Sequence, residues 1–200
     1  MYKRQKLYAA TWRRNGSNTS DDFAILGSVP PLNQWNHLAM VRDGTNIRVY
    51  VNGVQTGVGD IGSGRLVTNN FASDIHIGKQ SYNSGYGYIN GYIDEHRISN
   101  ICRYPSGTTF TPHTSAHVSD ANTLFLLSAE GGSQSFTDSS SSAHPISNTA
   151  NSGSGGVQHV HLNKVAASAM DFAGNYLQVS NLFALDDFTI ELWMYNTENN

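Results

Sequence analysis

The chain has 200 residues with 12 basic and 15 acidic side chains, which gives a formal net charge of −3. So small a charge offers little electrostatic attraction to nucleic acid, and no apolar run approaches the length of a membrane span. The single cysteine, Cys102, excludes an intrachain disulfide. The length suits one sandwich domain, or one and a half smaller units.

The composition and the first predicted elements favour an all-β chain. Charged residues make up only 14% and glycine occurs 19 times, while strand-forming residues are spread between turn formers. Residues 7–12 and 23–28 are predicted strands, and Pro30-Pro31 ends the second, because proline cannot donate to a central ladder. Residues 1–12 contain no apolar core segment, so we predict no signal peptide. We expect either a chain assembled in a cytosol, as virion proteins are, or a piece of a longer polypeptide.

Residues 35–58 are predicted to form an antiparallel meander with two tight turns. Asp43-Gly44 lies between two apolar runs, which is a strong local signal for a hairpin. The next run alternates apolar and polar side chains with a period of two, the apolar ones being Ile47, Val49 and Val51. Asn52-Gly53 supplies the second turn, since both residue types tolerate positive φ. The meander by itself predicts a β fold.

Two further predicted strands, residues 74–78 and 87–98, enclose a polar aromatic loop. Tyrosine, serine, glycine and asparagine together form an adaptable polar surface with rigid aromatic plates. Such plates can stack on sugar rings while the amides bond to hydroxyl groups. The loop is therefore the candidate ligand-binding site, with the residues Gln80, Tyr82, Asn83, Tyr86 and Tyr88. The alternative is an ordinary tyrosine-rich loop without a ligand.

The second half of the chain alternates between short predicted strands and polar connections. Residues 103–119 contain two prolines and no periodicity, which predicts a linker on the surface. Residues 130–156 are rich in serine, glycine and asparagine, which predicts a loop with one short strand near Phe136. Strands are predicted at residues 122–128, 157–162, 169–179 and 187–195.

Three segments resemble laminin-G-like domains, which belong to the concanavalin A-like jelly-roll sandwiches. The segments are WNHLAMVRDGTNIRVYVNGVQTG at residues 35–57, IHIG at residues 75–78 and GYIDEHRI at residues 91–98. They follow one another in the order that the family has. The resemblance implies an all-β, antiparallel two-sheet jelly-roll sandwich. It says little about any ligand, because function on a fold depends on individual sites.

The order of the segments indicates a circularly permuted strand order. Residues 170–179 and 187–194 resemble the strands that open a laminin-G-like domain, yet here they follow the segments that close one. We interpret residues 1–128 as the back half of a sandwich, residues 129–160 as a Ser/Gly-rich connector and residues 161–200 as front-half strands that complete the same sandwich. The termini of compact domains often lie close together, which makes this feasible. The alternative is two separate halves that each await a partner.

The acidic residues do not form the arrangement that a glycosidase of this fold needs. Two carboxylates must lie at a fixed separation on one side, whereas Asp94 and Glu95 are adjacent and are predicted to point to opposite faces. Glu191 has no second acid two or four residues further on. We predict no enzymatic activity and no catalytic residue. Asp94 is expected to be a buried acid bonded to His37 or Arg97.

Calcium is the metal that the predicted turns suit best. Many sandwiches of this class bind it at the rim, and Asp43, Asn46 and Asp60 lie in turns that could meet there. The alternative is turn chemistry, because Asp and Asn side chains bond their own backbone. We predict no cofactor, with calcium at these three residues as the open exception.

Two pairs of histidines have spacings that deserve comparison with zinc sites. His159 and His161 stand two residues apart on a predicted strand, and His113 and His117 lie in the predicted linker. Beside His159 and His161, no cysteine or carboxylate completes a tetrahedron. Surface or turn roles are the preferred interpretation of both pairs.

Together these observations favour a non-enzymatic carbohydrate-binding or adhesion module of a phage structural protein, a tail fibre or a bacterial surface protein. Its predicted partners are a cell-surface glycan or other virion or surface proteins, and its predicted location is the virion or the extracellular surface. We predict no nucleic-acid partner and no membrane insertion, and a homo-oligomer is left open. The first alternative is a structural virion decoration or spacer domain without a small ligand. The remote alternative is a glycoside hydrolase.

Overall fold

The computed structural model describes residues 7–14, 20–62, 74–79, 87–105, 109–130, 134–151, 155–165, 167–180 and 186–197, with side chains from Gly27 onward. These residues contain thirteen strands and no helix. None of the described elements is therefore a helix that could cross a membrane. The strands are β1 (Leu7–Arg14), β2 (Ser20–Gly27), β3 (Trp35–Asp43), β4 (Asn46–Val51), β5 (Val54–Asp60), β6 (Ile75–Ile77), β7 (Gly91–Ser99), β8 (Thr123–Leu127), β9 (Ile146–Thr149), β10 (Gln158–Val160), β11 (Ala169–Asp171), β12 (Tyr176–Val179) and β13 (Phe188–Asn196).

The strands form one large sheet, one small sheet and a hairpin. The large sheet has the order β10–β11–β7–β13–β3–β4–β5, and β8 also pairs with β7, so the described part of the chain gives it eight strands. β6, β12 and β9 form the small sheet with β12 in its centre, and β1 pairs with β2. The pairs are antiparallel throughout. The prediction of an all-β, antiparallel jelly-roll sandwich is confirmed.

The last strand lies inside the large sheet rather than at its edge. Trp193 of β13 pairs with His37 of β3 on one side and with Asp94 of β7 on the other. In the small sheet, β12 likewise pairs with β6 from the first half of the chain. Strands from residues 161–200 therefore share both sheets with earlier strands. The division of the chain at residues 128 and 160, and the circular permutation, stay predictions.

The main apolar core lies between the large and the small sheet. Its side chains come from β7, β8 and β11 on one side and from β6 and β12 on the other, because alternate residues of each strand face the opposing sheet. The buried members are Ile77, Ile93, Ile98, Phe125, Leu127, Ala129, Val157, Met170, Phe172, Leu177 and Val179. The face continues across β4 with Ile47 and Val49, where Gly27 at the end of β2 lies against Val49.

Residues 100–120 cover the opposite face of the large sheet, and we call them the covering segment; residues 106–108 of it lie outside the described residues. The segment contains no described strand and lies on the surface, as the sequence predicts, but it packs against the sheet instead of serving only as a linker. The rings of Tyr104 and Phe110 stack with centroids 3.6 Å apart, and both pack against the buried Tyr50. An irregular segment thus takes the place of a second sheet over this face.

The turn at Asn52-Gly53 holds the covering segment. Asn52 and Gly53 have φ values of 51° and 79°, as the hairpin prediction requires. The Phe110 amide donates a hydrogen bond to the Gly53 carbonyl oxygen at 3.1 Å. A Cβ atom at Gly53 would lie 1.8 Å from the Phe110 carbonyl oxygen, so only glycine fits there.

One predicted strand is misplaced. Phe136 lies in an irregular stretch, and the strand of this region is β9, at Ile146–Thr149. The strand is short and polar on one side, and its partner β12 lies far along the chain. A local pattern could not reveal a strand whose stability comes from that distant pairing.

Candidate functional site

The face under the covering segment carries a buried cluster of polar side chains from three adjacent strands. His37 comes from β3, Glu191 from β13 and Arg97 from β7, and Glu191 pairs directly with Arg97 across the two strands. The alternation along β13 puts Ile190 and Leu192 towards the apolar core and Glu191 and Trp193 on the other side. A carboxylate is therefore placed in the middle of the largest sheet.

The side chain of Glu191 is completely buried and bonded on all sides. Arg97 donates from Nε and Nη2 to Glu191 Oε1, at 2.8 and 2.5 Å. The Tyr104 hydroxyl donates to Oε2 at 2.5 Å, and His37 Nε2 lies 3.2 Å from the same oxygen. We call these four residues the ion cluster. It joins the three strands to the covering segment, because Tyr104 belongs to that segment.

The ion cluster keeps Glu191 ionised. Burial alone would raise the pKa of Glu191, but the hydrogen bond with His37, the charge of Arg97 and the Tyr104 hydroxyl together hold that pKa well below its usual range. Burial and the neighbouring carboxylate raise the pKa of Tyr104, so its hydroxyl stays protonated and donates. A buried carboxylate that accepts hydrogen bonds from several donors primarily holds the fold together.

A register shift in β7 corrects the expectation about the paired acids. Asp94 lies opposite Trp193 and Arg97 opposite Glu191, so two residues of β7 face the single residue Leu192 of β13. Glu95 has φ +53°, and the side chains on either side of the acids, Ile93 and His96, both face the apolar core. Asp94 and Glu95 therefore share the other face. The prediction that they point to opposite faces is wrong, because it assumed a regular strand.

Both acids of this bulge are buried and bonded to backbone amides. Asp94 Oδ2 accepts from the amides of Lys164 and Val165 at 3.1 and 2.8 Å, and not from His37 or Arg97 as the sequence predicts. Glu95 Oε2 accepts from the His117 amide at 2.7 Å. Burial raises the pKa of Asp94 to about 6 and that of Glu95 to about 7, although the amide bonds act in the opposite direction.

Two histidines of the covering segment, His113 and His117, lie beside His37 of the ion cluster. The ring centroids of His37 and His113 are 5.5 Å apart, and those of His113 and His117 are 3.6 Å apart. Both His113 and His117 are partly buried, and burial lowers the pKa of each, that of His117 to about 3. The covering segment partly encloses both residues, and His113 Nδ1 bonds the Ser115 carbonyl oxygen two residues further on. The surface or turn role of this pair stays a prediction.

The outer face of the small sheet carries a second group of polar and aromatic side chains. The rings of His76 and Tyr176 meet edge to face at 5.2 Å, and Tyr88 lies 6.4 Å from Tyr176. Lys79 Nζ stands 4.4 Å above the Tyr176 ring, and Gln178 donates to Asp74. We call these six residues the polar-aromatic face. The rings are partly exposed.

The polar-aromatic face adjoins the loop that the sequence singles out as a binding site. Lys79 and Tyr88, at the two sides of this loop, pair with each other as an isolated bridge. Of the five predicted ligand-binding residues, Tyr88 lies on the face. The other four, Gln80, Tyr82, Asn83 and Tyr86, lie outside the described residues, so the binding loop stays a prediction.

A third aromatic group crosses the large sheet at one end. Tyr195 lies between Trp35 of β3 and Tyr92 of β7, with centroids 5.7 Å from each. The three residues are only partly buried. We call them the tyrosine–tryptophan row.

The predicted calcium residues lie near one another on the β3–β4–β5 ladder. Asp43 pairs with Asn46, and Asn46 pairs with Asp60. Asp43 Oδ2 accepts from Arg48 at 3.1 Å, and Asp60 Oδ1 accepts from the Gly62 amide at 2.7 Å. A calcium ion would compete with Arg48 for Asp43. The calcium site stays a prediction.

The fold and these groups define a β-sandwich whose large sheet is closed by an apolar core on one face and by a bonded polar cluster on the other. Residues 2–107 match the family model of the concanavalin A-like lectin/glucanase superfamily, of the laminin G type. The match covers more than half of the chain, and the chain belongs to this family. The resemblance found in the sequence is thereby confirmed. Comparisons with curated proteins and with solved structures found no significant match.

The sequence analysis missed the residues that meet across distant strands. From the sequence, Glu191 stands without a second acid, and neither Tyr176 nor His113 is predicted to bind a ligand. The alternation along β13 was a usable signal, because it places Glu191 on the side away from Ile190 and Leu192. No local signal could indicate that Tyr104 returns to that side.

Proposed function

We propose that the protein is a non-enzymatic carbohydrate-binding module and that the polar-aromatic face is its binding surface. The observation that carries the proposal is the combination of partly exposed rings with hydrogen-bonding side chains on one sheet face. Tyr88 and Tyr176 offer apolar ring surfaces, and Lys79 and Gln178 offer polar groups beside them. Sugars present the same combination of apolar ring faces and hydroxyl groups.

The position of the face on a sheet supports the proposal further. Tyr176 and Gln178 alternate with Leu177 and Val179, which are buried in the main core. Anchoring of this kind fixes the orientation of the exposed side chains before a ligand arrives, which reduces the entropy lost on binding. The predicted loop starts beside Lys79 and would add further tyrosines.

The proposed glycan partner and the proposed location of the protein are supported by the family and by the sequence. The superfamily name covers both lectins and glucanases, so family membership is compatible with glycan binding without demonstrating it. We include in the proposal that the partner is a cell-surface glycan and that the protein is located on a phage particle or a bacterial surface.

A glycan array followed by affinity titration tests the binding surface. Tyr176→Ala should weaken the affinity for any bound glycan by about tenfold or more, which is ~1.4 kcal/mol, because the ring contact is lost. Tyr92→Ala, a tyrosine variant in the tyrosine–tryptophan row, is the matched control and should retain the affinity. Loss of binding in the control alone would contradict the proposed surface. Failure of the wild-type protein on every glycan would favour the structural spacer instead.

Glycoside hydrolysis is the second candidate, and one observation favours it. Asp94, Glu95 and Glu191 share a face, and two of them have raised pKa values while the third is lowered, a pattern that acid–base pairs show. All three are completely buried, which gives a sugar no access to them through the described residues. Cleavage of a β-glucan that disappears in Glu95→Gln would establish hydrolysis and overturn the non-enzymatic proposal.

A further inference from the structure

The strongest unassigned feature lies where the covering segment meets the ion cluster. One ring nitrogen each of His37 and His113 and one carboxylate oxygen of Glu191 lie within 4.8 Å of one another. The three residues come from β3, from the covering segment and from β13. We propose that they form a binding site for a divalent transition metal of the zinc class, which fastens the covering segment to the sheet.

The geometry between the two sheet residues already fits such a metal. His37 Nε2 and Glu191 Oε2 are 3.2 Å apart, and two ligands of a tetrahedral zinc at ordinary bond lengths are about 3.3 Å apart. His113 has to approach by up to about 1.5 Å for the same spacing. It belongs to a segment without described regular structure, so its approach breaks no strand pairing.

The bonding state of His113 favours coordination. Its Nδ1 lies 2.8 Å from the Ser115 carbonyl oxygen, which can only accept, so Nδ1 carries the proton and Nε2 carries the lone pair. Among the described residues, His113 Nε2 is buried and has no hydrogen-bond partner. A backbone carbonyl that holds the second ring nitrogen is the usual support of a metal-binding histidine.

His37 offers the second independent observation. Its side chain is fully buried, and Nδ1 has no partner within the described part of the chain. A buried nitrogen without a partner is costly. Coordination through Nδ1 would give this nitrogen a partner, whereas coordination through Nε2 would use the 3.2 Å spacing to Glu191 Oε2 and leave Nδ1 unchanged.

Glu191 is supported as a ligand by its neighbours. Arg97 binds Oε1 and the Tyr104 hydroxyl donates to Oε2, so the carboxylate is held in position; a metal would take the lone pair of Oε2 that faces His37. The two nitrogen donors distinguish this site from the predicted calcium site, because imidazole selects zinc-class metals and calcium takes oxygen ligands. This site is independent of the proposed glycan surface on the small sheet.

Zinc titration of the chelator-treated, full-length protein tests the site. We expect one zinc per chain by native mass spectrometry, and a melting temperature that rises by about 5–10 °C at a zinc concentration a hundred times Kd. His113→Gln should abolish both effects and leave the circular dichroism unchanged. His161→Gln replaces an exposed histidine and is the matched control, which should keep both effects.

Each contrary result overturns the site. Zinc binding that survives in His113→Gln, or that is lost in His161→Gln, would assign the metal to other histidines. If His113→Gln fails to fold, ¹⁵N spectra of the histidine rings in the wild-type protein decide the question. Zinc should shift the ring nitrogens of His37 and His113, and shifts confined to other histidines would exclude the proposed ligands.

Discussion

The two faces of the large sheet are closed in different ways. On one face, Ile93, Ile98 and Phe125 pack against the small sheet, and the stabilisation comes from apolar burial. On the other, Glu191 and Arg97 lie under the covering segment, and the buried groups are held by hydrogen bonds and charge. Glu191 on the polar face and Phe125 on the apolar face are equally inaccessible to water, with 0% and 1% of their own surface exposed.

The comparison shows what an irregular segment can provide that a second sheet cannot. A packed sheet uses its backbone donors within its own ladder, whereas the covering segment directs the His117 amide and the Tyr104 hydroxyl at acids of the large sheet. The polar face can therefore contain carboxylates that the apolar face could not. The stability of the polar face depends on the exact geometry of its hydrogen bonds, whereas that of the apolar face depends mainly on how well side-chain volume fills the core.

Removing the shared strand should have the largest effect on both faces. Truncation after residue 185 deletes β13, which pairs with both β3 and β7 and carries side chains to both faces. We expect no cooperative thermal transition in the truncated chain, measured by circular dichroism. A synthetic peptide of residues 186–197 should restore the transition in trans. A cooperative transition without the peptide would show that the remaining strands fold alone.

A double-mutant cycle should separate the charge contribution on the polar face. Glu191→Gln leaves the Arg97 charge buried without its partner and should lower the free energy of unfolding by about 3–5 kcal/mol. Arg97→Met should be costly for the same reason. The double variant should cost about 0.5–3 kcal/mol less than the sum of the two, measured by urea unfolding. Exact additivity would mean that the two residues do not stabilise each other.

Phe125→Ala is the matched variant on the apolar face. It should cost about 3–5 kcal/mol through loss of burial and an unfilled cavity. The measurement belongs above about pH 7.5, where the neighbouring His96 is neutral in both the folded and the unfolded state and adds no pH dependence.

Glu95→Gln should reveal the cost of a buried charge in the β7 bulge. The pKa of Glu95 is raised to about 7, so the folded state binds the proton more tightly than the unfolded state and loses stability as the pH rises from about 4.5 to 7. At pH 8 the neutral variant should be more stable than the wild type by about 2 kcal/mol, and at pH 5 the two should be nearly equal. Urea unfolding at both pH values measures this; equal differences would mean that Glu95 has the same pKa in the folded and in the unfolded state.

Tyr104→Phe should have the smallest effect. The substitution removes one hydrogen bond to Glu191 but retains the stacking on Phe110 and the bonds from Arg97. We expect a loss of about 1.5 kcal/mol in urea unfolding. A loss above about 3 kcal/mol would mean that the hydroxyl group holds the whole covering segment in place.

Much of the fold could be predicted from the sequence, and little of the candidate sites. The meander with turns at Asp43-Gly44 and Asn52-Gly53 follows from local rules, since turn chemistry and two-residue alternation act over a few residues. The bulge at Glu95 could not be foreseen, because a register shift depends on both neighbouring strands. The polar-aromatic face could be predicted only at Tyr88, because His76 and Tyr176 come from strands a hundred residues apart along the chain.

The sequence by itself determined that the chain forms antiparallel strands, because two-residue alternation and turn formers act locally. Its motifs carried the resemblance to a laminin-G-like sandwich, which the family model matches. The tertiary structure alone decided which polar side chains meet. Strand pairing brings Glu191 between His37 and Arg97, and the return of the covering segment adds Tyr104 and His113. Those contacts join residues far apart along the chain, and their distances are set by the packing of the whole fold.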